Sequence, residues 1–158
     1  MTAKPDYTPE EWTALVRAPF VVGAAISLAD PGGPIELFKE TSAALRTVTE
    51  PSADQPELVA AVKAELTEMA GRRENPLAGF KPKGPQARQQ VLDELIAVND
   101  TLTSKATPEE AEAFRGWLKK AARDAANAAK EGGFMGIGAE RVSSGEQQML
   151  DELEKVFA

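Results

Sequence analysis

The chain has 158 residues and a formal net charge of −7, and it contains neither histidine nor cysteine. The absence of both excludes imidazole bases, Ser-His-Asp triads, disulfides, thiolate metal sites and cysteine nucleophiles. The length suits one domain, and the acidic balance opposes general binding to nucleic acid. We therefore expect a single non-catalytic domain over residues 1–158, without a metal site or cofactor.

The first residues do not predict a targeting signal. Residues 1–6 lack the apolar core of a signal peptide, and no stretch of the chain has the ~18 apolar residues that span a membrane. We expect a cytoplasmic protein whose residues 1–7 fray, with peripheral membrane contact as a less favoured alternative.

Two segments open with the same tetrapeptide, Thr-Pro-Glu-Glu, at residues 8–11 and 107–110, and each continues to a Gly-Gly pair, at 32–33 and 132–133. The threonine suits the N-cap, the proline suits the first helical position, and the second glutamate completes a capping box. The glycines favour helix termination. The pattern predicts two capped helices, related either by an internal duplication with pseudo-twofold symmetry or by chance recurrence of a favourable opening.

Helical periodicity predicts an all-α bundle of about six helices. The first helix has no charge over residues 18–29, which is typical of a buried central helix. Its small Gly23 and Ser27 would allow the alanine-rich fifth helix to approach. The predicted apolar stripes of the other helices are Ile35, Phe38, Leu45 and Val48; Leu58, Val59, Val62, Leu66 and Met69; Val91, Leu95, Val98 and Leu102, widened by Leu92 and Ile96; Phe114, Trp117, Leu118, Ala121, Ala122, Ala125, Ala128 and Ala129; and Met149, Leu150, Leu153, Val156 and Phe157.

Residues 72–85 form the longest predicted connection, because three prolines and two glycines prevent helix there. The connection carries a basic cluster opposed nearby only by Glu74. Such a cluster indicates either a docking patch for an acidic partner or phosphate group, or simply a solvated loop. The cluster consists of Arg72, Arg73, Lys81 and Lys83, with Arg88 just beyond the connection.

Residues 132–138 alternate glycines with three large apolar side chains, Phe134, Met135 and Ile137. These side chains either plug the space between the fifth and sixth helices or form an exposed loop that docks to a partner, a lipid surface or an apolar ligand.

The run Ala-Ala-Lys-Glu-Gly-Gly-Phe-Met-Gly-Ile-Gly at 128–138, followed by Val142, Ser143 and Glu146, resembles a segment of a group of small, uncharacterised bacterial helical proteins. It is also similar to the TerB-like helical proteins of tellurite resistance, which place a glycine turn between an alanine-rich helix and a Ser-x-x-Glu cap. This chain has Glu131-Gly132 where those proteins have Asp-Gly. The resemblance implies a bacterial helical protein, and no activity or site residue follows from it.

Two functional hypotheses follow. The first is a non-catalytic interaction protein or accessory subunit that contacts another protein, or a second copy, through Phe134, Met135 and Ile137 and through the basic residues Arg72, Arg73, Lys81 and Lys83. The alternative is a binding protein for a small apolar or amphiphilic ligand held between the alanine-rich and glycine-bearing helices.

Overall fold

The computed structural model describes residues 4–29, 57–74, 76, 80, 84–131 and 144–158. Its described residues form five α-helices: α1 (Pro9–Ala29), α2 (Glu57–Gly71), α3 (Ala87–Lys105), α4 (Pro108–Glu131) and α5 (Ser144–Val156). Short 3-10 helices at Lys4–Asp6 and Gly84–Gln86 precede α1 and α3. The predicted all-α class is confirmed. The predicted helix that carries Ile35, Phe38, Leu45 and Val48 lies outside the described residues, as do both Gly-Gly pairs, so the internal repeat stays a prediction.

Helix α1 lies at the centre of the described bundle, as its uncharged second half predicted. It contacts each of the other four α-helices of the described residues. Most of its side chains over residues 15–26 are buried, and full burial of a branched apolar side chain stabilises the fold by roughly 1.5–3 kcal/mol. The bundle is therefore organised around this helix.

Both capping boxes form as the repeated tetrapeptide predicted. At the start of α1, the Glu11 N–H donates to Thr8 Oγ1 (3.1 Å) and the Thr8 N–H donates to Glu11 Oε2 (2.9 Å). At the start of α4, Thr107 and Glu110 repeat this reciprocal pair at 3.2 and 3.1 Å. Each box satisfies two backbone donors that the helix itself leaves without partners.

The two boxes differ in their surroundings. Glu110 is only 4% exposed, whereas the Glu11 side chain is 28% exposed and pairs with Lys105 at the end of α3 (Nζ to Oε2, 2.6 Å). The hydrogen bond from Lys105, with those from Thr8, lowers the pKa of Glu11 below its ordinary value of 4.5. Lys105 thereby connects the end of α3 to the start of α1.

This contact predicts a specific sensitivity to acid. The fold lowers the pKa of Glu11, so ionised Glu11 stabilises the folded state above about pH 4.5. This stabilisation is lost as the pH falls through the lower pKa that Glu11 has in the folded state. As the pH is lowered from about 5 to about 3, the free energy of unfolding should fall less for Lys105→Met than for wild type, as measured by urea unfolding. The control is Lys120→Met, which removes a surface lysine paired with Asp124 within α4. Identical pH profiles for wild type and Lys105→Met would contradict the prediction.

The apolar stripes of α2, α3 and α5 face the core, with one exception. Ile96, which we expected to widen the α3 stripe, is 44% exposed, while its neighbour Leu95 is fully buried. Leu92 is partly buried against the core. The prediction was wrong for Ile96 because this flank of α3 faces away from the core. The confirmed buried positions are Leu58, Val59, Val62, Leu66, Val91, Leu95, Val98, Leu102, Met149, Leu153 and Phe157.

Helix α4 combines two aromatic anchors with a face of alanines. The rings of Phe114 and Trp117 meet edge to face with centroids 5.3 Å apart, a favoured aromatic geometry. Beyond them, Ala121, Ala122 and Ala125 are all buried, and α4 contacts α1. The pairing of α1 with the alanine-rich helix is therefore present, although α1 also contacts α2, α3 and α5. Side chains of Ala128 and Ala129 lie outside the described residues.

The expected fraying of the N-terminus is wrong for residues 4–7. Lys4–Asp6 forms a 3-10 helix, closed by a hydrogen bond from the Tyr7 N–H to the Lys4 carbonyl oxygen (3.2 Å). Tyr7 is only 6% exposed and lies against Trp12 of α1. The burial of an aromatic ring, together with a lysine contact to α2, holds this segment in place.

Candidate functional site

A cleft of about 460 Å³ opens between the N-terminal turn, the first turns of α1 and the end of α2. Its size falls within the usual range of small-molecule sites, roughly 300–1,000 Å³. Most of its lining is apolar or aromatic. The lining residues are Lys4, Tyr7, Pro9, Trp12, Thr13, Val16, Glu65, Met69, Glu74 and Pro76.

Two aromatic side chains give the cleft its most distinctive wall. Tyr7 and Trp12 are each 6% exposed, and their ring centroids are 6.0 Å apart with the planes inclined at 43°. The indole Nε1 of Trp12 is buried and has no hydrogen-bond partner among the described residues. A buried donor without an acceptor costs roughly 1–3 kcal/mol, and native proteins rarely keep one. This wall is therefore less stable than a fully satisfied one would be.

An ion pair connects the two sides of the cleft. Lys4 Nζ of the N-terminal turn lies 3.1 Å from Glu65 Oε2 of α2. The Lys4 side chain is 60% exposed, while that of Glu65 is 21% exposed. An ion pair with one such exposed partner stabilises a fold by only about 0–1 kcal/mol, so other groups can displace Lys4.

Arg72 holds the carboxylates on the α2 side of the cleft. It forms two hydrogen bonds with Glu74, from Nε to Oε1 (3.0 Å) and from Nη2 to Oε2 (3.1 Å). It also approaches Glu65 at 3.9 Å and Glu68 at 3.8 Å. The hydrogen bonds to Glu74 raise the pKa of the Arg72 guanidinium above its ordinary value. Arg72 is therefore surrounded by acidic groups.

These contacts correct the expectation that Glu74 alone opposes the basic cluster. Glu65 and Glu68 come within reach because α2 continues to Gly71 and presents them two turns and one turn before Arg72, respectively. Arg88, at the start of α3, pairs with Glu152 of α5 at 2.5 Å. The two arginines therefore bind carboxylates of the chain itself.

Arg73 performs a backbone role at the end of α2. Its φ of 57° places it in the left-handed region. The Arg73 N–H bonds to the Ala70 carbonyl oxygen (3.1 Å) and the Glu74 N–H to that of Met69 (2.8 Å), which together make a Schellman motif. This turn brings Glu74 back to the cleft, and glycine usually occupies the position that Arg73 takes.

Arg73→Gly is expected to raise the free energy of unfolding by about 0.5–1 kcal/mol relative to Arg73→Ala. Glycine removes the steric cost of the left-handed conformation, whereas alanine keeps the β-carbon that causes it. Both substitutions remove the same charge, so urea unfolding of the pair isolates the backbone effect. Equal stability of the two variants would contradict the assignment of Arg73 to the Schellman motif.

The remaining predicted site residues, Lys81, Lys83, Phe134, Met135 and Ile137, lie outside the described residues. Within residues 4–29, 57–74, 84–131 and 144–158, no group of three acidic side chains is arranged to hold a metal ion. Nor does any helix in these ranges combine the length and apolarity that crossing a membrane demands.

Two further clefts are lined by described residues. One, of about 540 Å³, lies between α1 and α3, shares Pro9 and Thr13 with the aromatic cleft, and contains the Arg17–Glu94 ion pair at 3.4 Å. The other, of about 340 Å³, lies between α4 and α5 and has charged residues on both sides. No aromatic side chain among the described residues lines either cleft. The aromatic cleft is therefore the better candidate for binding an organic molecule.

Comparison of the chain with protein-family models, with curated proteins and with solved structures gave no match. The function is therefore inferred from the residues themselves.

Proposed function

We propose that the chain binds a small amphiphilic molecule in the cleft between the N-terminal turn, α1 and α2. The observation that carries this proposal is the aromatic wall of Tyr7 and Trp12 facing a charged rim within one cleft. Ligand sites combine mainly apolar walls with a few polar groups that orient the ligand. An apolar body would lie against Val16 and Met69, and a polar end would lie near Trp12 and the rim at Lys4 and Glu65.

This location differs from the one expected from the sequence, which placed a ligand between the alanine-rich and glycine-bearing helices. The alanines of α4 are buried, and small side chains allow close contact between helices, which favours the aromatic cleft as the ligand site. Binding without chemical conversion stays a prediction, as does a cytoplasmic location.

The proposal is tested with N-phenyl-1-naphthylamine, a neutral apolar dye whose fluorescence rises in apolar surroundings. Thr13 is exposed and lines the cleft, so Thr13→Phe should fill part of it and weaken dye binding by at least about tenfold, or about 1.4 kcal/mol. Because Thr13 also lines the cleft between α1 and α3, Ala97→Phe, which narrows only that second cleft, should leave dye binding unchanged. Thr67→Phe is the matched control. Both threonines are exposed helical residues whose hydroxyl bonds the carbonyl four positions earlier, and Thr67 lies outside the cleft lining.

Two results would contradict the proposal. One is failure of the wild-type protein to bind the dye at all. The other is equal binding by wild type, Thr13→Phe and Thr67→Phe, which would place the dye elsewhere on the molecule.

Contact with another protein or a second copy through Phe134, Met135 and Ile137 stays a prediction from the sequence. Capture of a partner by wild type, and its loss in the Phe134→Ser, Met135→Ser double variant with helicity retained, would support it. Loss of helicity in that variant would instead assign these side chains to the core.

A further inference from the structure

We infer that the ligand of the aromatic cleft is a small organic cation with an apolar body. This inference rests on the proposed function and adds the charge of the ligand to it. Three features of the cleft support it: the balance of charge at its rim, the chemistry of its aromatic wall, and the way its carboxylates are held.

The rim of the cleft is negatively charged. Glu65 and Glu74 line the cleft together with a single base, Lys4. Including Arg72 and Glu68, which belong to the same ion-pair network, three carboxylates face two bases. The whole chain, rim included, carries a formal net charge of −7. A cation is therefore attracted to this rim, and an anion is repelled both locally and by the protein as a whole.

The aromatic wall suits a cation as well. The faces of Trp and Tyr rings attract positive charge, with Trp the stronger of the two. The chain already uses this interaction, since Lys105 Nζ lies 6.0 Å from the ring centroid of Tyr7 and Lys63 Nζ lies 5.6 Å from that of Trp117. Among the described residues, no such cation lies over the ring of Trp12. A ligand cation in the cleft can take that position.

One carboxylate of the rim, Glu65, has two positive partners, so one of them can be replaced while the other stays. Glu65 has Lys4 on one oxygen and Arg72 near the other, at 3.1 and 3.9 Å. A ligand ammonium can replace the exposed Lys4 while Arg72 keeps Glu65 in place. Glu65 then retains a positive partner before and after binding, so the exchange leaves no carboxylate uncompensated.

The test is displacement of N-phenyl-1-naphthylamine from the wild-type protein by three six-carbon amphiphiles: hexyltrimethylammonium, hexyl sulfate and 1-hexanol. We expect the cation to bind about tenfold more tightly than the anion, with a difference that shrinks as salt is added. Glu65→Gln and Glu74→Gln should each reduce this preference for the cation over the anion, because each removes one negative charge from the rim. Glu68→Gln is the matched control, because Glu68 pairs with Arg72 from the same helix and does not line the cleft.

The outcomes separate the inference from the proposed function. If the dye binds the cleft but the cation has no advantage, or the sulfate binds more tightly, the inference is wrong and the cleft remains a ligand site. If Glu68→Gln lowers the cation preference as much as Glu65→Gln, the preference reflects total charge, and the inference is again wrong. If the dye does not bind, the proposed function itself fails.

Discussion

Leu95→Ala is expected to lower the free energy of unfolding by about 2–5 kcal/mol, whereas Ile96→Ala, at the next residue, should change it by about 0.5 kcal/mol or less. Leu95 is fully buried in α3, and its truncation leaves a cavity against the core. Ile96 is 44% exposed, and alanine is the better helix former. Urea unfolding followed by far-ultraviolet circular dichroism measures both changes.

The adjacent pair makes this a test of the orientation of α3, because the two substitutions share the helix and remove side chains of the same size. A loss at Ile96 comparable to that at Leu95 would mean that the outer face of α3 is also covered. Such a result would contradict the orientation described for this helix.

Ala125→Leu is expected to destabilise the protein by about 1–3 kcal/mol. Ala125 is fully buried on the face of α4 that includes Ala121 and Ala122, and a larger side chain there forces displacement of neighbouring atoms. Ala64→Leu in α2 is the matched control, since Ala64 is exposed and the substitution adds the same atoms. In urea unfolding, a lower midpoint with an unchanged slope would show that stability is lost while unfolding stays cooperative.

A stable Ala125→Leu protein would show that unfilled space lies beside the alanine face of α4. In that case the ligand site expected from the sequence, between the alanine-rich and glycine-bearing helices, would become the stronger candidate. Dye binding by this variant would then separate the two locations, because only the site beside α4 would lose volume.

Features with a local physical cause could be predicted from the sequence. The Thr-Pro-Glu-Glu openings specify their own hydrogen bonds within four residues, and both capping boxes form as expected. The burial of α1 also follows from composition, since a helix without charge over residues 18–29 has no face suited to water.

Features that depend on distant neighbours could not be predicted in this way. Periodicity orders the residues of α3 around its axis, but the exposure of Ile96 depends on which helices lie beside that flank. Tyr7 precedes the first helix and gives no signal of burial. Its position depends on Trp12 and on Lys4, which binds a carboxylate on α2, 61 residues further along the chain.

The cleft was missed for the same reason. Its walls come from two segments that share no motif and meet only in the folded chain, one with lining residues from Lys4 to Val16 and one with lining residues from Glu65 to Pro76. The clustering of Tyr7, Pro9 and Trp12 was the available signal, because such residues are common in ligand sites. Glu74 alone was expected to oppose the basic cluster, because the glutamates of α2 come close to Arg72 only when the helix is formed.

The central place of α1 has a consequence for synthesis of the protein. This helix leaves the ribosome first among the described α-helices, yet one of the helices that covers it, α5, begins only at Ser144. At a translation rate of about 5–20 residues per second, its apolar segment waits on the order of ten seconds for that neighbour. Hydrophobic surface exposed in this way favours aggregation of the nascent chain.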